Sequence, residues 1–156
     1  MSSSGESMDE LDRRILQTLQ ADGRTPFTEI ARQVNVSETT VRARYQGLVD
    51  RGIVRTVAIV DPYALGFEAP AILVISAEPA AVDDVARAIE RLPEVSYLVM
   101  TLGASDLIAE VFCRDLPHLT RLVTQQVYPI PGVRSAEALM IAQSYKLSFR
   151  WSPEGG

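Results

Sequence analysis

Between Ser37 and Gln46 the chain reads Ser-Glu-Thr-Thr-Val-Arg-Ala-Arg-Tyr-Gln, a set of residue types suited to reading DNA. Taken as a helix at about 100° per residue with Val41 and Tyr45 turned inward, this stretch points Thr39, Ala43 and Gln46 directly away, with Arg42 and Arg44 flanking them. Outward residues of that kind can meet base edges in a major groove. The flanking arginines can hold phosphates, as can the helix N-terminus, where Ser37, Glu38 and Thr40 lie. The competing use of the same residues is a three-helix bundle for protein contact, with its arginines solvated.

Other reactive residue types do not assemble. Cys113 and His118 stand five apart across a strand-to-helix junction and form no obvious nucleophile–base dyad. No phosphate-cradling glycine loop and no Gly-x-Ser-x-Gly is present, and Asp83-Asp84 at a helix start is explained by the helix dipole. Cys113 is expected to be a small buried hydrophobe and His118 a surface helix residue. One cysteine and one histidine fall short of any metal-site spacing, so no catalytic residue, metal or cofactor is expected.

Three short helices must position the candidate reading helix. Asp9 caps the first, in which Leu11, Ile15, Leu16 and Leu19 share a face, and Ala21-Asp22-Gly23 ends it. Thr25 followed by Pro26 is an N-cap with proline at the first helical position of the second, whose Ile30, Ala31 and Val34 face inward. Asn35 sits at the turn, Ser37 caps the third helix, and Val36 with Val41 forms a hydrophobic staple. Val41, Tyr45, Leu48 and Val49 continue the inner face to Gly52. Small Ala31, the turn and Val41 have the spacing of a helix-turn-helix. The β-branched run 53–60 that follows predicts a strand, stopped by Asp61-Pro62.

Composition restricts the partners. The 156 residues carry fifteen basic and twenty acidic side chains, net −5, which excludes a uniformly basic nucleic-acid coat. Residues 1–60 hold eight arginines against eight acids and are neutral; residues 61–156 hold seven basic and twelve acidic residues and carry the whole deficit. Any DNA contact is therefore local, and the window 38–57, with four arginines against two acids, is the place for it. No run approaches the roughly 18 to 20 apolar residues that cross a bilayer, and the Ser-rich start lacks a positive region, so an untargeted cytoplasmic chain is expected.

Beyond a linker at 61–66 the chain alternates strand 70–77, helix 80–92, strands 95–102 and 106–113, helix 115–127 and strand 133–142. That order, βαββαβ, with the similar links Leu92-Pro93-Glu94-Val95 and Ile130-Pro131-Gly132-Val133, predicts a ferredoxin-like sheet. Such a sheet should be polar on the face its helices leave bare. Here Leu98, Met100 and Leu102 alternate with Val95, Tyr97 and Val99, and Leu107, Ala109 and Val111 alternate with Ile108 and Phe112, so both faces are largely apolar. A second copy in an isologous dimer would cover the extra face. The chain's own tail would too, since Tyr145, Leu147, Phe149 and Trp151 alternate with Lys146, Ser148 and Arg150.

Over residues 8–143 the sequence resembles the Lrp/AsnC family of feast/famine transcription regulators. The resemblance is carried by Met8-Asp9-Glu10-Leu11-Asp12-Arg13-Arg14-Ile15-Leu16, by Val36-Ser37 through Val41 to Arg44-Tyr45, by Leu48 and Arg51-Gly52-Ile53-Val54, and by Asp61 and Leu65-Gly66. It implies an α+β chain: a tail at 1–7, a winged helix-turn-helix domain at 8–60 with an exit strand, the linker, a ferredoxin-like (RAM or ACT-like) effector-binding and oligomerisation domain at 67–143, and a tail at 144–156. It further implies double-stranded DNA, a small effector such as an amino acid, and further copies of the chain as partners, in dimers that assemble into octamers. The family's effector loop, usually Gly, any residue, an aromatic and Asp, is similar to Gly103-Ala104-Ser105-Asp106, with Thr101 and Leu102 leading into it. Glycine admits backbone amides close to a carboxylate and aspartate can meet an ammonium group, a combination suited to a zwitterion. Ser105 in place of the aromatic opens the pocket, and Ala136-Glu137-Ala138 stands where relatives tend to show threonines. The other readings of the whole chain are an ACT-like regulatory subunit of a metabolic enzyme and a constitutive DNA-organising protein.

Overall fold

A computed structural model describes residues 8–146. The expected tail at 1–7 and the alternation at Leu147, Phe149 and Trp151 lie outside the described residues. The described chain divides into two compact units, 8–58 with Lys146 and Ile59–Tyr145.

In the first unit, helix α1 (Glu10–Ala21) opens on a reciprocal cap. The Asp12 N–H donates to Asp9 at 2.9 Å and the Asp9 N–H donates to Asp12 at 3.4 Å. Helix α2 (Phe27–Val34) starts one residue later than the sequence implies, because Pro26 itself occupies the capping position while the Thr25 hydroxyl donates to the Asp22 carbonyl. Asn35 turns the chain in the left-handed conformation at φ 58°, and Ser37 caps α3 (Glu38–Asp50) by accepting from the Thr40 N–H at 3.1 Å. At the far end Gly52, at φ 69°, donates to Val49 while Ile53 donates to Leu48, the paired bonds that close a helix. Ile15, Ile30, Ala31, Val34 and Val41 form the core, with Val36 packed on it as the staple requires.

The expected exit strand at 53–60 is not formed. No residue of that run joins the sheet, and Ile53, Val57, Ile59 and Val60 are exposed. β-Branched side chains favour extended backbone, but a strand needs a neighbouring strand to satisfy its N–H and C=O groups, and among the described residues this run has none.

The second unit has the expected element order. After a short 3-10 turn at Tyr63–Leu65 come β1 (Ala69–Ala77), α4 (Val82–Ile89), β2 (Val95–Met100), β3 (Leu107–Cys113), α5 (Leu116–Arg121) and β4 (Val133–Met140). Helix α4 is shorter than the expected 80–92, whereas the helix expected over 115–127 is helical from Leu116 to Val127. Beyond α5 the chain runs Leu122–Val127 as a π-helical segment, with Tyr128 N–H reaching back five residues to Val123. The four strands pair antiparallel in the order β2-β3-β1-β4. Ala71, Leu73, Ile75, Leu107, Ala109 and Val111 point to one face and are buried together with Val85, Ile89, Leu119 and Leu122 of the helical segments. Gly132 is required where the parallel link has Glu94: its φ is 93°, and a Cβ there would stand 2.4 Å from that of Ala81.

Candidate nucleic-acid interface and effector loop

Helix α3 is held from beneath by Val41 and Leu48, both fully buried, and by Tyr45, whose ring lies 5.1 Å from that of Phe27 and whose hydroxyl is 2.8 Å from that of Thr56. This orientation leaves Thr39, Arg42, Ala43 and Gln46 on the outer side, as the helical period implies. Their side chains are not idle. Arg42 donates to Glu38 at 2.8 Å and lies 5.3 Å over the Phe27 ring, and Gln46 donates to Asp50 at 2.8 Å. Ser37 and Thr40 are occupied with each other at the cap, their hydroxyls 2.8 Å apart.

Arg44 is turned the other way. Its guanidinium donates to Asp9 at 2.6 Å and to Asp12 at 3.4 Å, both from the start of α1. The Asp9 carboxyl is held below its ordinary value by the Asp12 N–H, with Arg44 adding to the effect, and the acceptor at Asp9 holds the Arg44 proton more tightly than usual. Asp12 is the residue the sequence pattern passed over: it lies within the buried stripe of α1, 3% exposed, with Arg51 at 3.7 Å on its other oxygen.

In the second unit the hairpin between β2 and β3 gathers part of the candidate effector set. Thr101 N–H donates to the Asp106 carbonyl at 2.9 Å, and the Thr101 hydroxyl donates to the Ser105 carbonyl at 2.7 Å. The Asp106 carboxylate accepts from the Ala77 N–H at 2.8 Å and has Arg134 at 3.6 Å. Thr101, Ser105 and Asp106 are thus together and half-buried, while Leu102, Gly103 and Ala104 project as an exposed tip. Arg134 of β4 was not singled out by its sequence, and only the strand register brings it to the hairpin. A groove of about 470 Å³ between α4 and β2 adjoins the hairpin base, floored by Leu98, Met100 and Leu107 and rimmed by Asp83, Arg87 and Glu90.

Cys113 is buried as expected, and burial, with Glu94 and Asp115 nearby, pushes its thiol up to about 11. His118 is not the surface residue the sequence implies; its side chain is 23% exposed. Its Nδ1 accepts from the Arg114 N–H at 3.3 Å, so Nε2 carries the proton and donates to Glu94 at 3.0 Å. Both ring nitrogens are thereby committed away from the thiol. Among the described residues no group of His, Cys, Asp and Glu could hold a metal ion, and no helix is long and apolar enough to cross a membrane.

Residues 8–49 match the AsnC-type helix-turn-helix domain and residues 71–151 the Lrp/AsnC ligand-binding domain. The chain belongs to the Lrp/AsnC family. An uncharacterised HTH-type transcriptional regulator of Pyrococcus abyssi is 40% identical to it over 91% of this chain and 90% of that protein. The regulator Ptr1 of Methanocaldococcus jannaschii is 30% identical over 89% of this chain and 95% of its own length. Among solved structures, AsnC of E. coli superimposes with a TM-score of 0.79 at 28% identity, covering 91% of this chain and 97% of that one. A Neisseria meningitidis transcriptional regulator, solved as a complex with L-Met, gives 0.82 at 26% identity over 94% and 97%. This Lrp/AsnC chain is accordingly a transcriptional regulator whose relatives are regulators and not enzymes.

Proposed function

We propose that this chain binds DNA sequence-specifically by placing α3 in the major groove. Thr39, Ala43 and Gln46 then read base edges while Arg42 and the α3 N-terminus hold phosphates, and a small metabolite of the amino-acid class modulates affinity or assembly. The observation that carries the reading is the orientation of α3: Val41 and Leu48 are fully buried, and the polar residues stand on its outer side. The effector arm is supported by the matched ligand-binding domain and by the hairpin, where a carboxylate, a guanidinium and two hydroxyls converge. Asp106 already holds Ala77 and Arg134, so a zwitterion would approach a built framework and exchange partners with it.

Self-association is part of the same proposal. The sheet face without helices carries the row Val99, Ile108 and Val74 across three strands, with Ile72, Phe112 and Leu139 beside it. Two copies laid face to face would remove this apolar surface from water, and an octamer would follow from further contacts between dimers. The test is fluorescence anisotropy on DNA from upstream of the chain's own gene against unrelated DNA, with and without a pool of amino acids. Selective binding that shifts with the pool is the expected result. Selective binding indifferent to the pool favours a constitutive DNA-organising role, and equal binding to both DNAs at moderate salt contradicts sequence-specific reading.

A further inference from the structure

Asp12 is a charged residue in the core of the first unit. It stands on α1 with fully buried Ile15, and a carboxylate so withdrawn from water persists only where cations and N–H groups close around it. Arg44, at 3.4 Å, and Arg51, at 3.7 Å, supply the cations; Arg44 is shared with Asp9 at 2.6 Å. The pairing differs in kind from that of Arg42, whose partner Glu38 lies on its own helix. An ion pair within α3 cannot fix that helix against its neighbours, whereas Asp9 and Asp12 belong to α1 and its cap. Val41 and Leu48 bury one side of α3, and this apolar packing is non-directional. A charge-assisted bond between helices is directional.

We propose that Asp12 and Arg44 are positioning residues for DNA binding: the pair fixes the roll of α3 against α1, and Arg44 makes no phosphate contact. The proposal rests on the DNA-binding reading above. It has a consequence opposite to simple electrostatics, because removing the negative charge of Asp12 from a DNA-binding unit weakens binding instead of strengthening it.

The experiment uses the full chain with Arg44→Gln, Asp12→Asn, the double variant and Arg42→Gln for comparison. Anisotropy on the upstream DNA is followed over a range of salt, well below each variant's melting temperature. Removing one arginine–phosphate pairing flattens the log–log salt dependence by about 0.9. Arg44→Gln and Asp12→Asn are each expected to weaken binding about tenfold at every salt concentration with the wild-type slope, and the double variant to be no weaker than the worse single one. Arg42→Gln is expected to flatten the slope. Should Asp12→Asn fail to fold, Arg44→Gln, which leaves Arg51 beside Asp12, decides alone. A flattened slope for Arg44→Gln would make it a phosphate ligand and overturn the proposal. Wild-type affinity with only a lowered melting temperature would overturn it equally, as the pair would then be merely structural. Failure of the folded wild-type chain to bind any DNA at low salt is a different result, which removes the DNA-binding reading and this role with it.

Discussion

The outer side of α3 and the sheet face that carries no helix among the described residues differ in what already occupies them. On α3 the long polar side chains are engaged: Arg42 with Glu38, Gln46 with Asp50 and Arg44 with Asp9 and Asp12. On the sheet the row Val99, Ile108 and Val74 is apolar and ends on β4 at the exposed Glu137, while Glu110 beside it accepts from the Ser96 hydroxyl at 2.7 Å. A partner of α3 therefore gains only the difference between new interactions and old, which favours discrimination over strength. A partner of the sheet gains mainly by burying the apolar row, provided that Glu110 and Glu137 at its margin stay hydrated or find a cation.

The largest expected effect comes from breaking the second half of this contrast. A charge placed at the centre of the open face by Val74→Asp would be buried twice in a two-fold dimer. It should weaken self-association by at least about a hundredfold, roughly 3 kcal/mol, as read by sedimentation equilibrium. An unchanged association constant would move the interface elsewhere. Next, Arg42→Gln should weaken DNA binding by about tenfold and flatten its salt dependence by about 0.9, leaving association untouched. Binding unchanged at all salt concentrations would remove Arg42 from the interface.

Smaller effects sharpen the first half. Glu38→Gln frees Arg42 from its exposed internal partner and should tighten binding to unrelated DNA by about twofold, roughly 0.5 kcal/mol, while lowering the ratio of upstream to unrelated affinity. Weaker binding to unrelated DNA would show that Glu38 assists rather than competes. The smallest effect is on acid stability. Folding lowers the Asp9 carboxyl below its ordinary value of 3.8, mainly through the Asp12 N–H. Its contribution is therefore complete above that value and is lost as pH falls below it through the folded-state value. Asp9→Asn should make the first unit's melting less dependent on pH in the window below about 4; an identical pH profile would contradict the assignment.

The sequence discloses the elements where their causes are local. Asn35, Ser37 and Gly52 mark the turn, the cap and the end of α3 because left-handed backbone and orphan amides are answered within a few residues. The βαββαβ order is legible for the same reason, each strand carrying its own period. Partners distant along the chain are hidden. Asp12 reads as a polar interruption of an apolar stripe until Arg44, 32 residues on, is brought to it. His118 reads as exposed until the fold sets Glu94 against it. The run 53–60 misleads in the opposite sense, since strand propensity presupposes a neighbouring strand and its own sequence supplies none. At the candidate effector loop the turn residues are legible, but Arg134 arrives only through the register of β4 on β1.

That α3 reads sequence is most directly tested by the ratio of affinities for upstream and unrelated DNA in the wild-type chain and in a Thr39→Ala, Gln46→Ala double variant. Both positions lie on the outer side of α3, so the fold and the sheet-mediated association should be unaffected. The expected result is a ratio that falls toward one while binding to unrelated DNA is retained. An undiminished ratio in the double variant would contradict it, and the selectivity would then belong to a surface other than α3.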